Sequence, residues 1–113
     1  MPWFPLNKYL WDFWFAQKNG ELHLFYLQAN KAECGFNPDL RHNLASVGHA
    51  VMTGCGWKEL GDVALAKSDD GGWDNLSIWT GSVIQDEGSR MHYLFYTSRR
   101  AEDKTVWTPS EWQ

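Results

Sequence analysis

Cysteine is nearly missing from this chain: two in 113 residues. Two thiols make no disulfide framework. Cys34 and Cys55 sit in turn-like, Gly-rich stretches and are expected to be free. His49 could be imagined beside them as a metal ligand, but no CxxC or HxxxH spacing supports a metal site. Basic charge is also scarce. Ten Lys and Arg against fourteen Asp and Glu leave a net charge of −4, and the only basic pair that stands out is Arg99-Arg100. Polyanion binding needs a basic stripe that releases counterions, so nucleic acid is not an expected partner. No apolar run approaches the roughly 18–20 residues of a membrane span, so no membrane partner is expected. Met1-Pro2-Trp3-Phe4-Pro5 has neither a basic leader nor an apolar signal core. That fits a cytoplasmic protein, or one whose start lies further upstream. Also lacking are a useful helical period, a Ser/His/Asp arrangement, a phosphate loop and a dinucleotide fingerprint, and no cofactor is expected.

Tryptophan, in contrast, is over-used, with eight copies in a chain that is 16% aromatic. So many indoles point to packed aromatic layers or to a ring-stacking ligand site. One pattern occurs twice. Gly20-Glu21-Leu22-His23-Leu24-Phe25-Tyr26-Leu27 reads much like Gly88-Ser89-Arg90-Met91-His92-Tyr93-Leu94-Phe95-Tyr96-Thr97, and the Phe-Tyr pairs are 70 positions apart. An aromatic strand-like segment precedes each copy: Trp11-Asp12-Phe13-Trp14-Phe15 and Trp79-Thr80-Gly81-Ser82-Val83. A repeat of this length built from short strands is the signature of a β-propeller blade.

The segments follow that plan. An apolar strand over 11–17 meets Asn19-Gly20, the strongest short hairpin signal, and a second strand runs back over 21–28. The stretch 30–43, with Asn37-Pro38-Asp39 and Arg41-His42, is a long polar connection. A third strand covers 44–52, a turn covers 53–56, and a short polar strand of the edge type opens at Trp57. A loop over 67–77 leads to strand 78–84, a turn at Asp86-Glu87-Gly88, and strand 91–98. The polar residues 99–113 match the long connection of the first unit. The expectation is an all-β chain of about one and a half blades: blade one over about 9–66 and half of blade two over about 77–98.

Asp12 is the candidate that carries chemistry. A carboxylate among Trp11, Phe13 and Trp14 inside a strand is a local conflict, since burying its charge unpaired costs several kcal/mol. Such conflicts concentrate at functional sites. The plainer alternative is an Asp that caps or pairs near a strand end. Trp79-Thr80-Gly81-Ser82 holds the matching place in the second unit. An indole, hydroxyls and a Gly that permits close approach suit a sugar, although Trp79 could equally be core. His23 and His92, taken as repeated strand positions, are expected to share a packing role; His49 reads as a core histidine on an apolar strand, and Asp69, Asp70 and Asp74 as solvated loop carboxylates. Arg41-His42 orders its loop or rims a site.

With these segments in place, the chain resembles the furanosidase clan of five-bladed propeller glycoside hydrolases, which includes fructosidases, levansucrases, arabinanases and xylosidases. Trp11-Asp12 before an aromatic strand is similar to the clan's first catalytic segment. Ser46-Val47-Gly48-His49-Ala50-Val51 followed by Trp57 looks like the third strand of its first blade. Trp79-Thr80-Gly81-Ser82 looks like its aromatic-Ser-Gly-Ser sugar subsite, with Thr80 where Ser is usual. The resemblance implies a carbohydrate substrate. It makes Asp12 the nucleophile of a retaining mechanism or the base of an inverting one, and it lines the sugar subsite with Trp11, Trp79, Thr80 and Ser82. It places the acid Glu and a second Asp in later blades. These 113 residues alone are therefore expected to bind sugar without cleaving it. One and a half blades would also leave an apolar face open, with self-association as a consequence. The alternative is a non-catalytic carbohydrate-binding or structural β-module.

Overall fold

A computed structural model describes residues 3, 5–69 and 73–100. Among these residues six strands and one 3-10 helix follow in order: β1 (Lys8–Lys18), β2 (Glu21–Asn30), the 3-10 helix (Pro38–Leu44), β3 (Ser46–Thr53), β4 (Gly56–Glu59), β5 (Ser77–Gln85) and β6 (His92–Arg99). The first four strands form one antiparallel sheet in the order β1-β2-β3-β4, and β5 and β6 pair into a separate hairpin. The all-β expectation holds. The helix is a correction to the purely irregular connection expected over 30–43. Asn37 caps it by accepting from the Asp39 amide, and Pro38 opens it. The part of the expected polar connection beyond Arg100 lies outside the described residues, as does Asp70.

Asn19 and Gly20 both take positive φ, 53° and 79°. This is the type I′ geometry whose twist matches the flanking strands, and Lys18 faces Glu21 across the tight turn.

The β1–β2 ladder has one irregularity. Trp11 pairs with Leu27 and Phe13 with Tyr26, so Asp12 is an extra residue with no partner, at φ 42°. This β-bulge flips the alternation of the strand. Trp11 and Trp14, three apart, then share the face that carries Leu27 and Val47. Phe13 and Phe15 turn to the opposite face, where Leu24 and Tyr26 lie. β5 repeats the device. Ile78 pairs with Ser98 and Gly81 with Tyr96, so Trp79 and Thr80 together oppose Thr97.

The two sheets pack face to face. Leu27 and Val47 of the first sheet meet Ile78 of β5, all at most 2% exposed, with Trp11, Trp14, Phe25, Leu65 and Tyr96 around them. The Ile78 amide donates to the Ala45 carbonyl at 3.0 Å, and β-bridge pairing joins Val47 to Leu65. A second cluster, Leu24, Tyr26 and Ala50 with Trp3, Leu10 and Trp57, lies on the far face of the first sheet. Nothing among the described residues covers its outer rings. Phe13 is 66% and Phe15 53% exposed.

Candidate functional site

The 3-10 helix delivers Arg41, His42 and Asn43 to the seam between β1 and β5. There the indoles of Trp11 and Trp79 both meet the His42 imidazole edge-on, at ring-centroid distances of 6.0 and 6.2 Å. Trp79 Nε1 donates to the His42 carbonyl at 3.0 Å, which fixes that indole. A guanidinium lies over each ring: Arg41 over Trp11 at 5.1 Å and Arg99 over Trp79 at 5.2 Å. Arg41 is held by donating to the Pro38 carbonyl at 2.8 Å, and Arg99 by donating to Asn43 Oδ1 at 2.7 Å. The structure thus brings Trp11 and Trp79 to one centre and sets Arg41 and His42 against these indoles.

Asp12 follows Trp11 and Thr80 follows Trp79, each in a bulge and each solvent-exposed. Exposure corrects the expected burial of the Asp12 charge. The local conflict is in the backbone instead, because a positive φ is unusual for a non-glycine residue, and such residues gather at functional sites. Ser82 is exposed and pairs with Phe95, on the face of β5 turned away from the first sheet. It is not brought to the Trp–His–Trp centre by any contact. Gly81 has a different use from the one expected. A side chain there would collide with the Phe95 carbonyl, so the close approach it permits is that of β6.

A second cluster lies at the other end of the seam. His23 Nδ1 and His49 Nε2 share a hydrogen bond at 2.8 Å, with the Glu21 carboxylate 3.5 Å from His23 Nε2. Phe25 stacks on His49 at 4.4 Å. Burial, and then the neighbouring His23, lower the His49 pKa. His92 Nε2 donates to the Gln17 carbonyl at 3.2 Å and lines the same cavity of about 210 Å³. Counted back from the shared Phe-Tyr pairs, His92 matches Leu22 and not His23. The two histidines are neighbours across the sheets, not copies of one position.

Sequence reasoning passed over Lys8, whose ammonium is buried in the first sheet. It donates to Gln28 Oε1 at 3.1 Å and to the Asp62 carbonyl at 2.7 Å, and ion-pairs with Glu59 and Asp62 at 3.4 and 2.9 Å. Tyr26 donates to the same Glu59 at 3.1 Å; burial and that carboxylate push its pKa far up. A Lys at a strand start carries no mark of burial in sequence, so nothing pointed to it. Asp74 is also more than a solvated loop acid, because it accepts from the Tyr96 hydroxyl at 3.0 Å. Cys34 is buried, which raises its thiol pKa, while Cys55 is exposed. Among the described residues no three His, Cys, Asp or Glu side chains come together in a metal-binding arrangement.

Comparison with protein-family models, with curated proteins and with solved structures found no match to this chain.

Proposed function

We propose that this chain forms about one and a half blades of a five-bladed β-propeller glycoside hydrolase of the furanosidase clan. The substrate is a furanoside such as a fructoside or an arabinoside. Trp11, Trp79 and Thr80 line the first sugar subsite, and Asp12 is the carboxylate that attacks the anomeric carbon or activates water. The observation that carries this reading is the repeated bulge. Trp11-Asp12 and Trp79-Thr80 occupy equivalent irregularities in β1 and β5, and both indoles converge on His42. Bulges re-aim side chains beside active sites, and a carboxylate and a hydroxyl are thereby lifted out of their strands. Ser82 contributes to the subsite only if a sugar extends past β5, since its side chain points the other way.

Cleavage of a glycosidic bond needs two carboxyl groups, about 5–5.5 Å apart for retention or about 6.5–9.5 Å for inversion. In this reading Asp12 supplies one, and the acid partner belongs to other blades. The 113 residues bind sugar weakly and do not turn it over.

Titration of tryptophan fluorescence with fructose- and arabinose-containing oligosaccharides tests the subsite. Saturable quenching in the millimolar range, a binding free energy of about −4 kcal/mol, is expected. Asp12→Asn keeps a residue tolerant of positive φ while removing the charge. Placed in a complete hydrolase containing this segment, it is expected to lower the rate by about 10³-fold or more. An unchanged rate with sugar binding intact would leave the alternative, a non-catalytic carbohydrate-binding module using the same indoles. No saturable quenching with any of these sugars would remove the subsite itself.

A further inference from the structure

The end of the seam away from the two indoles gathers three of the four histidines of the chain. His23 on β2 and His49 on β3 are diagonal neighbours on one face of the first sheet, because Phe25 pairs with His49 and His23 with Val51. Their ring nitrogens meet, Nδ1 of His23 against Nε2 of His49 at 2.8 Å. His92, on β6 of the other sheet, lines the same cavity of about 210 Å³.

The neighbours of each ring decide which nitrogen carries the proton. His92 Nε2 lies 3.2 Å from the Gln17 carbonyl. A carbonyl only accepts, so the proton sits on Nε2 and Nδ1 keeps its lone pair. His23 Nε2 is buried without a hydrogen-bond partner, with the Glu21 carboxylate 3.5 Å away. A bare lone pair there would face a negative charge. The proton is therefore assigned to Nε2, and Nδ1 is the lone pair that accepts from His49. Both rings turn an N–H toward an oxygen and leave the other nitrogen basic. Metal-ligating histidines are built this way, with the outer N–H directed to a carboxylate or a backbone carbonyl. The arrangement also gives the orphaned His23 N–H a use, because a cation on Nδ1 would make that N–H more acidic and draw Glu21 onto it.

We propose that His23 Nδ1, His49 Nε2 and His92 Nδ1 bind one late first-row divalent cation across the seam, of the nickel, copper or zinc type that imidazole suits. The three rings do not form a ready ligand set, since a shared proton holds His23 to His49. The ion takes the place of that proton. His49 moves its proton from Nε2 to Nδ1 by way of water, so none is lost overall. Metal–nitrogen bonds of about 2.0–2.1 Å, at angles from square to tetrahedral, set the two nitrogens about 2.9–3.4 Å apart, so the pair opens only slightly. Burial and the neighbouring His23 keep His49 neutral at pH 7, which is the form that binds. Lys18 lines the same cavity from an exposed position, and its ammonium opposes a cation there. None of this depends on sugar chemistry at Asp12.

The test is isothermal titration of the whole chain with NiCl2, in a Cys55→Ser background so that the exposed thiol does not contribute. One site per chain is expected, and none for MgCl2, which takes oxygen ligands. His23→Gln and His49→Gln are each expected to abolish binding. Glu21→Gln is expected to weaken it about tenfold, as loss of an outer partner does, and His92→Gln at least as much. Lys18→Gln is expected to tighten it, which a merely structural role for these side chains would not produce. Because a substitution can unfold the chain, the native histidines are also read by NMR. Paramagnetic nickel is expected to broaden the ring signals of His23, His49 and His92 at ratios that leave those of His42 sharp. Neither heat nor broadening at millimolar nickel would overturn the proposal. So would binding that persists in His23→Gln or His49→Gln, an affinity unchanged by His92→Gln, or broadening centred on His42.

Discussion

Tyr26 crosses the first sheet directly over Gly48. A Cβ at that position would run into the Tyr26 ring and the Gln28 amide, both of which are buried and tied to Glu59, Ser46 and Asp62. The ring cannot step aside without breaking its bond to Glu59. Gly48→Ala is therefore expected to lower stability by about 1–3 kcal/mol, the cost of overpacking a full core, as read by urea denaturation. Part of this was legible. Gly48 stood within a strand-like run, and a Gly there announces close approach by something. Which ring approaches depends on strand register, which single residues do not reveal. Asp12 was legible as a residue out of place. The bulge it makes was not, because an acid among aromatics signals a conflict without saying whether burial or backbone resolves it.

At the level of elements, hydrophobic alternation and the Asn19-Gly20 turn located every strand to within about three residues at each end. The exception in kind was the 3-10 helix, since seven residues opening with Asn37-Pro38-Asp39 carry the same marks as a turn. It matters because it carries His42 to the two indoles, a meeting of groups far apart in the chain. The neighbouring strands β2 and β3 hold the His23–His49 pair, faced by Glu21, Lys18 and His92. The folded chain prefers neutral His49, so its pKa lies below the ordinary 6.5. Between the lowered value and 6.5 the unfolded chain binds more protons. Stability is thus full above that window and falls as the pH drops through it. The urea midpoint is expected to decline from neutral to mildly acidic pH, and His49→Gln is expected to flatten the decline.

For the molecule as a whole, the all-β class and its antiparallel hairpins could be read from composition and the doubled Phe-Tyr pattern. The partition of rings between faces could not. Strict alternation would have put Phe13 and Phe15 with Trp11 in the seam and Trp14 outside. The single unpaired residue at 12 reverses this for everything that follows it in β1. That makes position 12 a parity switch. Deleting Asp12 would keep the hairpin turn and every residue that pairs in the β1–β2 ladder, yet it would force a choice between the native register and the native inside of the strand. The deletion is expected to unfold at a much lower urea concentration than Asp12→Asn. An insertion of one residue anywhere from 13 to 18 would undo the same arrangement from the other side. The length of this strand, more than the chemistry of any ring in it, decides which wall of the protein is greasy.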